Sequence, residues 1–161
     1  MFKLAITIAA IMLVPIAASA GSIQDRKGFA VYEAVAEAGV HPRRPHPGDQ
    51  KVRTYDGHVY WLRPTPVFVG GITGVEARER GCDRTTFYLP LTDAARAAFL
   101  DFTSNPSSPS YAIVADGRII GPVVHAAMPL DLKELWIDSF EPSGTWFMHE
   151  DLKHALAGSA K

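Results

Sequence analysis

The pair Asp116-Gly117 stands between two strand-forming runs, Tyr111-Ala112-Ile113-Val114-Ala115 and Arg118-Ile119-Ile120. An Asp-Gly pair tolerates the two positive φ values of a type I′ turn, whose twist matches that of paired strands. Any fold of this chain must therefore accommodate a tight antiparallel hairpin here. Pro122 lacks a ladder donor, so the second strand belongs at a sheet edge or bends there. Before the hairpin, Thr92 is a good N-cap, because its hydroxyl accepts a free backbone N–H of the first turn. Asp93 then faces the positive end of the helix dipole. Ala95, Phe99 and Phe102 recur at i, i+4 and i+7 as one apolar stripe, and the helix should stop near Ser104, ahead of Asn105-Pro106.

The rest of the chain reads around this helix and hairpin. Residues 29–38 allow a strand, through alternation of Phe29, Val31, Glu33 and Val35 with Ala30, Tyr32 and Ala34, or a helix, through their alanines. The run from His41 to Asp49 carries three prolines and a glycine, which makes an exposed loop. Strands are expected at 58–62 and 67–69, kept apart by Pro64 and Pro66, then a turn over 70–74. Further strands follow at 75–80, with one polar face, at 86–89, stopped by Pro90, and near 135–137. A closing helix fits 150–156, with Gly158 just past its end. Strands on both sides of one helix, with a second helix last, give an α+β fold with a mostly antiparallel sheet. Residues 21–57 read as an N-terminal strand or helix with a Pro-rich loop, and 58–161 as the main domain.

The N-terminus has a different character. Lys3 precedes an apolar stretch over 4–18, and Ala18-Ser19-Ala20 is a small-x-small site. This is the pattern of a secretory signal peptide over 1–20, with cleavage after Ala20. The stretch is short of the roughly 20 residues a spanning helix needs, and it contains Pro15. No later run is long and apolar enough to span a membrane. The expectation is a periplasmic protein with no integral membrane segment after cleavage. Removing residues 1–20 leaves 141 residues and takes away one lysine, so the formal charge moves from −1 to −2.

That near balance excludes a nucleic-acid binder held by phosphate neutralisation, which needs a basic surface. An apolar fraction of 47% excludes a disordered tail. A single cysteine excludes a disulfide framework and a cysteine-cluster metal site.

The second half also resembles a known family. Phe87-Tyr88-Leu89-Pro90-Leu91-Thr92 leads into a helix ending in Phe102-Thr103. Then come Ala112-Ile113-Val114-Ala115-Asp116-Gly117-Arg118-Ile119-Ile120 and Pro122-Val123-Val124. This order is similar to the head subdomain of the first periplasmic domain of SecD and SecDF, the accessory membrane subunits of the bacterial Sec translocon. The resemblance spans 58–157 and is strongest over 86–124. It implies an α+β head-like fold and contact with emerging polypeptide. It departs from the family where Ser108-Pro109-Ser110 replaces a common Gly-Lys, and where a Gly-Gly is missing from 126–133. The family's proton-driven work uses membrane-embedded polar residues, for which this chain offers no segment.

Candidate chemistry is sparse. Cys82 lies between Arg80 and Arg84, cations that favour a thiolate, although a catalytic thiol also needs a base. A small residue in a loop, or a hook for an intermolecular disulfide, are its other readings. His125 can titrate near neutral pH or simply bond within its strand. His41 and His46, and His149 and His154, are each five apart and make no known ligand spacing, so neither metal nor cofactor is expected. Gly70-Gly71-Ile72-Thr73-Gly74 lacks the Lys-Ser/Thr of a phosphate loop. Tyr60, Trp61 and Trp136 read mainly as core, while Trp146-Phe147-Met148 can form an exposed patch. The leading expectation is a non-enzymatic module that binds a peptide or partner protein, unfolded or of the envelope. Its candidate residues are Asp116, Gly117, Arg118, His125, Trp146 and Phe147. The alternatives are a small exported enzyme using Cys82 or His125, and an inhibitor or immunity-type protein. N-terminal sequencing of the exported protein should begin at Gly21; a start at Met1 would remove the signal-peptide reading.

Overall fold

A computed structural model of the chain describes residues 21–39, 45–55, 57–79, 85–105, 110–125, 133–139 and 142–159, with side chains described except at 122, 125, 139, 142–147 and 159. A 3₁₀ turn at Ile23–Asp25 precedes strand β1 (Phe29–Glu37). Then come β2 (Gln50–Arg53), β3 (Val59–Val69), β4 (Glu76–Glu79) and β5 (Thr85–Pro90). Helix α1 (Asp93–Thr103), β6 (Ser110–Ala115), β7 (Arg118–His125), β8 (Glu134–Ser139) and helix α2 (Pro142–Ser159) complete the order. The fold is α+β, with mostly antiparallel strands and two α-helices, as the sequence pattern predicts; the strands divide into two sheets, which the pattern does not predict. No helix among the described residues is long and apolar enough to cross a membrane.

The larger sheet has the order β2-β3-β1-β6-β7 and the smaller one β4-β5-β8. Strand β1 is the centre of the larger sheet, paired with β3 on one side and β6 on the other. Its two faces feed two separate cores. Phe29 and Val31 join a cluster with Phe68, Phe87, Phe99 and Leu152. Ala30, Tyr32 and Ala34 join a smaller one with Ile23, Val52, Leu62 and Ile119. A strand buried on both faces needs no polar alternation, which is why 29–38 is ambiguous by pattern and a strand in fact. Residues 21–57, set apart from 58–161 in the sequence reading, thus supply the central strand, an edge strand and the buried Ile23.

The small cluster lies on one face of the larger sheet, and a parallel bridge from Thr54 to Ile119 brings that sheet's two edges together. Alanines at 30, 34 and 112 leave room for this tight curvature. The large cluster lies on the opposite face of β1. It takes Phe87, Leu89, Leu135 and Ile137 from the smaller sheet, Phe99 from α1 and Leu152 from α2. Each fully buried aromatic or aliphatic side chain of this kind contributes about 1.5–3 kcal/mol.

Three local expectations are corrected. Pro64 and Pro66 do not divide two strands: β3 runs unbroken from 59 to 69, and register shifts against β1 absorb the missing donors. Strand β4 has no buried face, since all four of its residues are exposed. Helix α2 starts at Pro142 and runs through Gly158 to Ser159, because Met148, Leu152 and Ala155 anchor a longer stretch to the core. Helix α1 matches its prediction. Thr92 Oγ1 accepts from the Ala95 N–H at 3.3 Å, Ala95 and Phe99 are buried, and Ser104 N donates to the Leu100 carbonyl at 3.0 Å.

On α2, burial raises the Asp151 carboxyl above its ordinary pKa, against the opposing pull of His154. A raised carboxyl favours the folded state while protonated, and that advantage is lost as pH rises through the folded pKa. Replacing Asp151 with asparagine should therefore raise the melting temperature at neutral pH. In acid below the ordinary carboxylate range it should leave the temperature unchanged, as thermal denaturation at the two pH values will read.

Candidate functional site

Two surfaces carry chemistry. The first is a groove of about 360 Å³ between α1 and β3, lined by Glu33, Thr65, Pro66, Val67, Ala98, Asp101, Phe102 and Asn105. Its geometry starts in the register of β1. Tyr32 pairs with Pro66 and Ala34 with Leu62, so the single residue Glu33 faces three residues of β3, at positions 63–65. This bulge turns Thr65 and Pro66 toward the groove and aims Arg63 at acids, because a bulge bends its strand and re-aims side chains. Arg63 Nη1 donates to Asp49 Oδ1 at 3.0 Å, and its Nε lies 3.6 Å from Glu33 Oε2. Asp49, with a side chain 1% exposed, also accepts from the His46 N–H at 2.7 Å.

The helix wall of the groove is fixed by Gly71. Its φ is +73°, and a Cβ there would lie 2.5 Å from Ala95 Cβ. Glycine therefore lets the chain after β3 run against the start of α1, where Thr92 N donates to the Gly71 carbonyl at 2.8 Å. Phe102, half-buried, packs on Phe99 at 6.3 Å between ring centroids and forms part of the apolar floor. The groove therefore offers apolar contact from Pro66, Val67, Ala98 and Phe102, and negative charge from Glu33 and Asp101.

The second surface is the outer face of the smaller sheet. Glu76, Tyr88 and Trp136 stand opposite one another across β4, β5 and β8, and Arg78, Thr86 and Asp138 form the next row. The Arg78 guanidinium lies 4.2 Å from the Tyr88 ring centroid and bonds Glu76. The Glu76 hydrogen bond is the main cause of an Arg78 pKa above the ordinary value. Thr86 Oγ1 donates to Asp138 Oδ1 at 2.6 Å. Trp136 is 55% exposed, while its neighbours Leu135 and Ile137 are buried. The sequence reading of Trp136 as core is thus corrected: strand alternation turns it outward with Glu134 and Asp138.

The residues singled out in the sequence are placed as follows. Asp116 and Gly117 form the type I′ turn, with φ of 46° and 80°. Asp116 Oδ1 accepts from the Gly28 N–H at 2.9 Å, and Asp116 N donates to the Gly28 carbonyl at 3.1 Å. A Cβ on Gly117 would run into the Gln24 backbone. The turn therefore clasps the segment that leads into β1. Arg118 is exposed and stacks over Tyr55 at 5.6 Å. His125 closes β7 opposite Ser110, and Trp146 and Phe147 fall in α2. The side chains of these three, and Cys82 with its flanking arginines, lie outside the described residues. His149 packs against Phe87 at 5.8 Å, and His154 is exposed. Among the described residues, no three His, Cys, Asp or Glu side chains converge as metal ligands.

No protein-family model and no curated protein matches this chain. Among solved structures, the chain superposes on one of SecDF, a membrane component that enhances protein export. The TM-score is 0.51 at 16% identity, covering 79% of this chain and 63% of that one. A second SecDF structure, in a super-membrane-facing form, superposes with a TM-score of 0.48 at 18% identity, over 79% of this chain and 18% of that one. The chain therefore spans less than two thirds of the SecDF chain it matches. The likeness establishes a SecD/SecDF-like fold, and it extends beyond the 58–157 stretch on which the sequence resemblance rests.

Gly117→Ala should destabilise the protein by about 1–3 kcal/mol from its left-handed backbone alone. The clash with Gln24 should add to this, and urea denaturation will read the sum as a lower midpoint.

Proposed function

We propose that this protein is an exported, non-enzymatic module that binds an extended segment of another polypeptide in the periplasm. The observation that carries this reading is the groove between α1 and β3. It is open, has an apolar floor, and holds two carboxylates at its rim. Such a trough suits a few side chains of an unfolded or extended chain, with the backbone left outside. The SecD/SecDF-like fold supports the same direction, since SecDF enhances protein export. The partner would be an unfolded or envelope polypeptide. Export rests on the signal-peptide pattern of residues 1–20.

Short fluorescent peptides of mixed apolar and polar sequence, titrated by anisotropy, test the reading. Saturable binding is expected, weakened about tenfold by Phe102→Ala, as for a central apolar anchor. Asp101→Asn should weaken it less. Circular dichroism of the Phe102 variant separates lost binding from lost fold. A folded variant with undiminished binding would sink the groove as the site.

A further inference from the structure

Among the described residues, the outer face of the smaller sheet holds one cation already. Arg78 lies over the Tyr88 ring and bonds Glu76, so its seat is an aromatic face with a carboxylate beside it. The next strand repeats the aromatic face and its neighbouring carboxylates. Trp136 faces solvent in line with Tyr88, and Glu134 and Asp138 flank it two residues away on either side, about 7 Å along the strand. Among the described residues, no Lys or Arg lies over the Trp136 ring.

Two further features narrow the occupant. An indole face attracts a cation more strongly than a phenol face, and guanidinium is the side chain most often found there. The charges of the described residues on this face also do not cancel. Arg78 bonds Glu76 and is acted on by Glu134 as well, so among these residues one cation faces the three carboxylates Glu76, Glu134 and Asp138. Asp138 accepts from Thr86, a neutral partner that holds the carboxylate in place and leaves its charge.

We propose that Trp136, with Glu134 and Asp138, is a docking site for an extended polypeptide segment that carries arginine or lysine at alternate positions. One cationic side chain stacks on the indole, and its neighbours two residues away meet the carboxylates. An extended segment laid along β8 has the matching spacing, because both strands repeat every second residue. The site is separate from the groove of α1 and β3 and stands without it.

The indole N–H resonance of Trp136, assigned by its disappearance in Trp136→Leu, reads the site in the full exported protein. A short peptide alternating arginine with serine should shift that resonance saturably, and added salt should weaken the effect. In the variants, affinity is read from the anisotropy of the fluorescently labelled peptide, and it should fall about three- to fivefold in Trp136→Leu. It should fall further when Glu134→Gln and Asp138→Asn are combined with that change. The same peptide with citrulline for arginine should leave the resonance in place. Phe102→Ala should leave the response intact. An equal response to the citrulline peptide would overturn the proposal. So would a shift caused by a neutral oligosaccharide with none from the arginine peptide. Loss of arginine-peptide binding in Phe102→Ala, with Trp136→Leu harmless, would assign the peptide to the groove and overturn the sheet-face site.

Discussion

Burial of β1 on both faces is the constraint on which the architecture depends. Phe29 and Val31 point one way, Ala30 and Tyr32 the other, and each pair is enclosed by a different core. A strand so placed must have its backbone groups satisfied by ladders on both sides, because buried N–H and C=O groups without partners are costly. β3 and β6 supply those ladders. Its start is tied as well: Asp116 holds Gly28 through backbone and side chain, and Gly70 N donates to the Phe29 carbonyl at 2.6 Å. Hairpin turn, 3₁₀ turn and the end of β3 therefore meet at one end of the central strand.

The groove is a by-product of how that pairing accommodates prolines. β3 cannot offer every ladder donor, so β1 and β3 slip by bulges, and Glu33 is left facing three residues. The surplus chain protrudes on the side of α1. The helix is kept close by Gly71, and the space between the two becomes the groove. Arg63, held by Asp49, fixes the acid end of it.

Features with a local cause were readable in the sequence. The cap at Thr92, the stripe through Phe99 and the Asp116-Gly117 turn each follow from a few adjacent residues, and each is present. Features that depend on a distant partner were not. Pro64 and Pro66 look like breaks until β1 is known to slip against them. The exposure of β4 follows from its place at a sheet edge, which its four residues do not encode. The length of α2 depends on a core assembled from six strands and a second helix. Trp136 had a signal that was available: Glu134, Trp136 and Asp138 share one parity, and Leu135 and Ile137 the other. Two acids on the same parity mark the solvent side, and the tryptophan goes with them.

The bridge between Thr54 and Ile119 bears on how the chain behaves while crowded with copies of itself. Open sheet rims are templates for pairing with other chains, and aggregation starts there. Here the larger sheet folds one rim back on the other. The smaller sheet leaves β4 outermost, where Glu76, Arg78 and Glu79 put charge on a strand only four residues long. Short, charged rims resist growth into fibrils. A variant that loosens the Thr54–Ile119 junction would thus matter less to the melting temperature than to colloidal behaviour, because it would uncover the apolar rim of β7 as a seed for self-association.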